Sequence, residues 1–240
     1  MSNKLKLILG TLYLIILISF LVYLFTFVEI NKLDEFSYYK QLQSQINYSV
    51  GNNFYLNLFL FFIFAIIWVI LLGFGSPILI MSGIFFGKWI GTLVSLLSIS
   101  IGALILYIIA NYFFRDFIKN LLKEKFEKYI FLFKKNEFYY FFAFRFVGGL
   151  GIPFGLQNVL PVIFNISRTN YFIASILGFV PNFYIWNTIG SGINSVVETS
   201  NSFSFLNFLL NEEIYLPIMM FLVLICVSFF IRKKLFKVND

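Results

Sequence analysis

The sequence contains no histidine and one cysteine, and only 12% of its 240 residues are charged. Without histidine, imidazole proton relays and His-ligated metal sites are excluded. Cys226 stands alone within an apolar run, so it has no second thiol for a disulfide or a shared metal. We therefore expect no catalytic residues, no metal and no cofactor, and we predict that the chain is not an enzyme.

Long apolar blocks dominate the chain, which is 60% hydrophobic with a mean hydropathy of +0.88. This composition predicts an all-α polytopic membrane protein. We expect a single membrane domain over residues 1–240, since no polar stretch is long enough for a second one. Within it we predict an N-terminal helix and external loop (1–53), a core (54–192), and an external loop with a C-terminal helix (193–240).

The net charge of +7 follows membrane topology and does not indicate a nucleic-acid partner. Residues 115–137 carry seven basic side chains, so the positive-inside rule assigns them to the cytoplasm. Residues 29–53 and 190–213 are net acidic and are expected outside. The basic residues of 232–237 complete an arrangement in which both termini are cytoplasmic. Apolar residues within 117–133 recur at helical spacing, which predicts an amphipathic helix on the membrane surface.

Residues 5–28 form the first apolar run, and two interpretations apply to it. A signal peptide is one, but the run is longer than a typical h-region and no small-x-small cleavage site follows. We therefore interpret it as a retained transmembrane helix. With the other apolar segments it predicts a multi-pass protein of the bacterial inner membrane.

The number of apolar runs conflicts with the charges unless some runs fail to cross. If residues 54–72 and 89–114 both spanned the membrane, the most basic loop would lie outside. We therefore predict a re-entrant hairpin between residue 54 and residue 88, and a second one of opposite orientation over residues 138–165. Each is followed by a transmembrane helix, predicted at residues 89–114 and 171–189, so the two halves form an inverted repeat. The predicted hairpin-shaping residues are Gly73, Gly75, Pro77, Gly83, Gly87, Pro153, Gly155, Pro161 and Pro181.

Arg145 is the candidate site residue, because it places a formal charge inside an aromatic run at membrane depth. A guanidinium binds phosphate bidentately, and glycine-rich turns let backbone N–H groups approach the same oxygens. The alternative is that Arg145 only pairs with backbone carbonyls left free by the hairpin, or extends its charged end to the cytoplasmic interface. Gln157 and Asn158 have the same two interpretations, orienting a headgroup or hydrogen-bonding the hairpin to itself. The predicted substrate-binding residues are Arg145, Gly148, Gly149, Gly151, Gln157 and Asn158.

A combination of motifs resembles the DedA superfamily, also called the VTT-domain or SNARE-associated Golgi protein family, in its Tvp-like branch. The matching residues run from about residue 66 to residue 192. They comprise Gly73-Phe-Gly-Ser-Pro77, Ser82-Gly83-Ile-Phe-Phe-Gly87, Phe144-Arg145-Phe146, Pro153, Asn158, Gly178-x-x-Pro181 and Ile189-Gly190.

This resemblance implies opposed re-entrant hairpins and the movement of phospholipid or polyprenyl-phosphate headgroups between leaflets by a transporter, flippase or scramblase. Two features depart from the family pattern: the first hairpin has no carboxylate, and Gly151 stands where a second arginine is expected. Transport is therefore expected to be independent of the proton gradient. Membrane lipids are the expected partners, and the formation of a homo-oligomer is left open. The alternative is a structural or assembly protein without transport activity.

Overall fold

A computed structural model of the chain describes Ile15, Ser19 and residues 36–199 and 209–235. Its contacts divide the chain into two compact units, Met1–Gln45 and Ile46–Asp240. Ile15 and Ser19 are helical, and the rest of the predicted first helix lies outside the described residues. Everything that follows concerns the second unit, apart from the start of α1. The prediction of a single domain with an internal boundary after residue 53 stays a prediction.

Helices make up the described part of the chain, without a strand, and the all-α prediction is confirmed. A 3₁₀ turn, Gly148–Gly151, separates α5 from α6. In chain order the helices are α1 (Phe36–Asn52), α2 (Phe54–Ile70), α3 (Gly75–Phe113), α4 (Arg115–Lys135), α5 (Glu137–Phe146), α6 (Phe154–Val159), α7 (Pro161–Phe164), α8 (Arg168–Thr199) and α9 (Glu212–Leu235).

Three described helices are long and apolar enough to cross a membrane: α3, α8 and α9. The bent pair Lys40–Asn52 and α2 supplies a fourth if it acts as one span. α3 has 39 residues, which at 1.5 Å per residue is about 58 Å, nearly twice the hydrocarbon thickness. Gly87 interrupts it with a φ of 71° and a ψ of 176°, so residues 75–86 and 88–113 are separate helical segments.

α2 packs against both segments of α3. The Phe61 ring meets the Phe86 ring edge to face, with 5.4 Å between the ring centroids. Farther along, a Cβ at Gly102 would lie 2.9 Å from the backbone oxygen of Ile66. The connection between the two helices is tight, and the Trp68 indole donates to the backbone oxygen of Phe74 at 2.8 Å. Residues 71–74 therefore form a short turn, after which α3 packs back against α2.

The two ends of the segment from α5 to α7 lie next to each other. The Glu137 carboxylate, at the start of α5, accepts hydrogen bonds from the backbone N–H of Ser167 at 3.2 Å and from the side chain of Asn170 at 2.5 Å. Beside it, the rings of Phe133 and Phe164 are stacked with centroids 4.0 Å apart. The residues before α5 and after α7 are thereby joined.

The turn that connects α5 to α6 lies against the turn that connects α2 to α3. A Cβ added at Gly75 would lie 3.4 Å from the Phe154 ring, and one at Gly155 would lie 3.3 Å from the backbone oxygen of Leu72. Both glycines were predicted to shape the chain at these turns. Their second effect, which is to let the two turns touch, depends on contacts between segments distant in sequence.

Glycines also set the path of α8 across the other helices. A Cβ at Gly178 would lie 3.0 Å from the backbone oxygen of Phe142 on α5, and one at Gly190 would collide with the backbone of Ile80 on α3. Small residues at helix crossings permit such close packing in membrane proteins. α8 therefore contacts both halves of the core along its length.

One predicted boundary is wrong, and two other predictions are refined. The span predicted at 171–189 is longer, because Gly190 and Gly192 mark close packing and do not end α8. The span predicted at 89–114 matches the second segment of α3, residues 88–113, and residues 75–86 before the break at Gly87 form a further helical segment. The amphipathic helix of 117–133 is confirmed as α4, but it does not only lie on a surface, since Ile118 and Phe133 are buried in the core.

Candidate functional site

Arg145 lies in the last turn of α5, immediately before the glycine-rich turn. Asn136 caps the start of this helix, where its side-chain oxygen accepts from the backbone N–H of Tyr139 at 3.0 Å. The helix ends at Val147, after which Gly148, Gly149 and Gly151 adopt φ values of 70°, 70° and 81°. Residues other than glycine rarely adopt this left-handed backbone conformation, so the glycine cluster fixes a sharp turn directly beside the guanidinium.

The guanidinium of Arg145 is fully buried. Its Nη2 donates to the Tyr171 hydroxyl at 2.8 Å and its Nε donates to the Ser175 hydroxyl at 3.3 Å. The Tyr171 hydroxyl in turn donates to the backbone oxygen of Asn158 at 3.1 Å. Both partners of Arg145 are neutral, so the charge is held in place without being neutralised by them.

Aromatic rings surround the rest of the guanidinium. Its Cζ lies 4.7 Å from the centroid of the Phe179 ring, 4.8 Å from that of Phe141 and 5.3 Å from that of Tyr171. The faces of such rings attract cations by about 0.5–2 kcal/mol each. This attraction lowers the cost of burying the charge, but it supplies no hydrogen-bond acceptor.

A cavity of about 270 Å³ opens beside Arg145, where the two turns and α8 meet. Its volume is close to the lower end of small-molecule sites, about 300 Å³. The cavity therefore has room for a phosphate and a small headgroup, but not for acyl chains. Its walls are formed by Phe74, Gly75, Ser76 and Leu79, by Arg145, Gly148, Phe154 and Gln157, and by Phe179, Asn182, Phe183 and Trp186.

The predicted site residues divide into two groups. Arg145, Gly148 and Gln157 line the cavity, whereas Gly149, Gly151 and Asn158 do not. The Gln157 amide donates to the backbone oxygens of Gly148 at 3.2 Å and Ile152 at 2.6 Å, which is the alternative in which it bonds the hairpin to itself. Of the two interpretations given for Gln157, the structure therefore supports the one in which it holds the turn.

Several atoms around the cavity are buried without a hydrogen-bond partner among the described residues. Two of them, Nη1 of Arg145 and Oδ1 of Asn182, belong to residues that line the cavity, and both side-chain polar atoms of Asn158, which does not line it, are also unpaired. Buried polar groups are normally satisfied, and each one left unpaired costs about 1–3 kcal/mol. The unpaired donor of Arg145 and the unpaired acceptor of Asn182 therefore both belong to the wall of one cavity. This is the observation that most directly indicates a bound polar group or water.

Sequence reasoning missed the contribution of α8. Tyr171, Ser175, Phe179, Asn182 and Trp186 follow one another at spacings of three or four residues, which places them on one face of a helix. Two of them hold Arg145 and three line the cavity. Polar residues recurring at helical spacing within an apolar span were the available signal.

Comparison with known proteins identifies the family. A model of the VTT domain matches residues 73–192, which is half of the chain and includes both turns, Arg145 and the polar face of α8. No curated protein and no solved structure matched the chain. The family resemblance drawn from the motifs is confirmed by this match, which does not reach its Tvp-like branch, and this chain belongs to the VTT domain family.

Proposed function

We propose that the chain moves phospholipids or polyprenyl phosphates between the leaflets of a bacterial inner membrane, with Arg145 binding the phosphate. It does so without enzymatic chemistry and with membrane lipids as its partners. The observation that carries this proposal is the Arg145 guanidinium, fully buried at a cavity wall with one terminal nitrogen unpaired among the described residues. A phosphate oxygen is the acceptor that a planar guanidinium binds best.

Two re-entrant hairpins arranged as an inverted repeat are the architecture that we infer for this transport. Residues 54–86 form the first and residues 137–164 the second. Support comes from the contact of Phe54 with Phe86, whose ring centroids are 6.0 Å apart, and from the bonds of Glu137 to the residues after α7, which bring the ends of each segment together. The contacts of Gly75 and Gly155 bring the two tips together. Inverted repeats of this kind place a substrate site between their halves near the midplane.

The size of the cavity indicates that the acyl chains of the lipid stay outside it during transport. The cavity is too small for acyl chains, while the outward-facing surface of the core is apolar, with large side chains such as Trp89, Leu93 and Leu97 more than 40% exposed. A headgroup that passes through the cavity would leave its chains among the surrounding lipids. We infer a scramblase or flippase that accepts only the polar group.

A second candidate function has one observation in its favour. The hydrogen bonds of Arg145 to Tyr171 and Ser175 tie α5 to α8, so the arginine contributes to the fold as well as to the cavity. In this reading the chain is a structural or assembly protein and transports nothing. Membership of the Tvp-like branch of the family is compatible with either function and is part of the proposal.

Arg145→Lys distinguishes the two functions, because lysine keeps the charge and loses the planar fork. We expect the rate of lipid transfer in proteoliposomes, followed with a fluorescent phospholipid and a membrane-impermeant quencher, to fall about 10-fold or more. That loss corresponds to the roughly 1.5–3 kcal/mol of a charged hydrogen bond. Arg232→Lys makes the same exchange in α9 and should leave the rate unchanged.

The folded yield of each variant is measured alongside by size-exclusion chromatography. A folded Arg145→Lys protein that transfers lipid at the parental rate would refute the phosphate role and leave the structural one. Arg145→Ala is less informative, because it would also leave Tyr171 and Ser175 without their partner.

A further inference from the structure

A second cavity, of about 650 Å³, lies where α4, α5 and α8 begin. It shares no lining residue with the cavity at Arg145. Charged side chains of both signs line it, Arg115 and Arg168 together with Asp116 and Glu137. We call it the helix-start cavity, and neither the family match nor the proposed transport assigns a role to it.

Two charged groups of the helix-start cavity, Arg115 and Glu137, make hydrogen bonds with neutral partners. Arg115 donates from Nη2 to the side-chain oxygen of Asn165 at 2.8 Å. Glu137 accepts from the backbone N–H of Ser167 and from the side chain of Asn170. Burial works to raise the pKa of the Glu137 carboxyl, but these hydrogen bonds outweigh it and hold the pKa below its ordinary value. Two cations and two anions thus line one space, and the hydrogen bonds of Arg115 and Glu137 are made to uncharged groups.

One donor and one acceptor in the lining are also unsatisfied. Nε of Arg115 and Oδ1 of Asn111 are buried without a hydrogen-bond partner among the described residues. A bare anion such as phosphate would satisfy the arginine, but it would face two carboxylates. A metal cation would have the reverse difficulty, since two guanidinium groups would repel it. A ligand that carries both signs avoids both conflicts.

We propose that the helix-start cavity binds a zwitterionic group made of a phosphate and a primary ammonium, the chemistry of a phosphoethanolamine. The phosphate binds to Arg115 and Arg168, which offer planar donor pairs. The ammonium donates its N–H groups to Oδ1 of Asn111 and to the carboxylate of Asp116, which is exposed and free to reach it. This site goes beyond the proposed function, because binding here requires no transfer between leaflets.

Titration of the purified protein in lipid-free detergent micelles tests the chemistry directly. The probes are phosphorylethanolamine, phosphorylcholine, whose ammonium has no N–H donor, and inorganic phosphate. We expect phosphorylethanolamine to bind about 10-fold or more tightly than the other two, since they lack one half of the recognised pair. Equal affinity for all three probes, or no binding of any, would overturn the proposal.

Two variants separate the halves of the site. Arg168→Gln removes an exposed arginine and should weaken phosphorylethanolamine about 10-fold or more. Asp116→Asn should weaken phosphorylethanolamine and leave inorganic phosphate unchanged or bound more tightly, because one carboxylate no longer repels it. Lys134→Gln is the matched control, an equal loss of charge at an exposed position of α4, and should bind as the parent does. Parental affinity in both Arg168→Gln and Asp116→Asn would contradict the assignment.

The source of the group is found by repeating the titration in nanodiscs. Phosphatidylethanolamine in the disc should compete with soluble phosphorylethanolamine if the site takes a lipid headgroup, whereas phosphatidylcholine should not. Soluble binding that survives in both discs assigns a free phosphoamine, and its loss in both discs overturns the site. Arg145→Lys should bind the probes as the parent does, so failure of the transport proposal and failure of this one are distinguishable.

Discussion

At the scale of single residues, Arg145 has more donors than its neighbours have acceptors. A guanidinium carries five N–H donors, and in the structure two nitrogens donate while Nη1 has no partner among the described residues. An arginine with a purely structural role would be expected to donate more hydrogen bonds to the backbone carbonyls of the nearby turn. The partners are instead Tyr171 and Ser175, both on α8. This arrangement orients the guanidinium and keeps part of it available.

Tyr171→Phe tests whether α8 holds the guanidinium. The ring stays, and so does its stacking on Tyr107 with centroids 4.5 Å apart, but Arg145 and the carbonyl of Asn158 each lose a partner. We expect the free energy of unfolding, measured by titration with a denaturing detergent, to fall by about 1.5–3 kcal/mol. Tyr55→Phe, at a side chain that is 84% exposed, is the control and should change it little. Equal midpoints for both variants would contradict the hydrogen bond.

The sequence was sufficient to find Arg145 but not the residues that hold it. A charge within an apolar run is visible in any single sequence, and the glycines that follow predict a turn. Tyr171 and Ser175 lie 26 and 30 residues farther along, and their role depends on how α8 crosses α5. That crossing is set by the close contact of Gly178 with the backbone of α5, which no local pattern reveals.

At the scale of helices, two kinds of glycine behave differently although the sequence does not distinguish them. Gly87 needs its conformation, since a φ of 71° with a ψ of 176° is accessible almost only to glycine. Nothing lies within 4 Å of a Cβ built there. Gly83 is the reverse, a helical residue whose added Cβ would collide with the backbone of Asn187. The first interrupts α3, and the second lets α8 approach it.

Gly87→Ala should therefore destabilise the protein through the backbone alone. We expect a loss of about 1–3 kcal/mol in the free energy of unfolding, the cost of a conformation that alanine avoids. Gly51→Ala is the matched control, because it also meets nothing within 4 Å but lies in a helix, where alanine should stabilise by about 0.4–1 kcal/mol. Effects of the same sign in the two variants would show that residue 87 is not held at a positive φ.

The helices themselves were largely predictable, and their ends were not. Apolar length predicted spans near 89–114 and 171–189, and both exist within longer helices. The second span was predicted to end at residue 189, before Gly190, because glycine usually weakens a helix, while Pro181 was predicted to lie inside it. In the structure both lie inside α8, where packing against α3 and α5 outweighs local preference.

At the scale of the whole molecule, charge and shape bear on the same question of topology. The excess of basic residues in α4 predicts that it faces the cytoplasm, and this requires residues 54–86 to return to the side from which they came. The contact of Phe61 with Phe86 and the break at Gly87 agree with such a return. The sequence predicted the two hairpins by counting, but only the folded chain brings Leu72 against Gly155.

Accessibility of single cysteines to a membrane-impermeant maleimide decides the topology. Exposed Cys226 is first replaced by serine, since it would itself react. Cysteines at the exposed positions Lys88 and Glu198 should then be labelled in intact cells, and those at Lys134 and Ser167 only after the membrane is permeabilised. Lys88 is the informative position, because it lies outside if residues 54–86 form a hairpin and inside if α2 crosses the membrane completely. Labelling of Lys134 but not Lys88 from outside would contradict this topology, either because α2 crosses the membrane completely or because the orientation is reversed. A cysteine at the exposed position Tyr48 separates these two cases, since it is labelled from outside if α2 crosses and protected if the orientation is reversed. A complete crossing by α2 would remove the first hairpin and, with it, the inverted repeat.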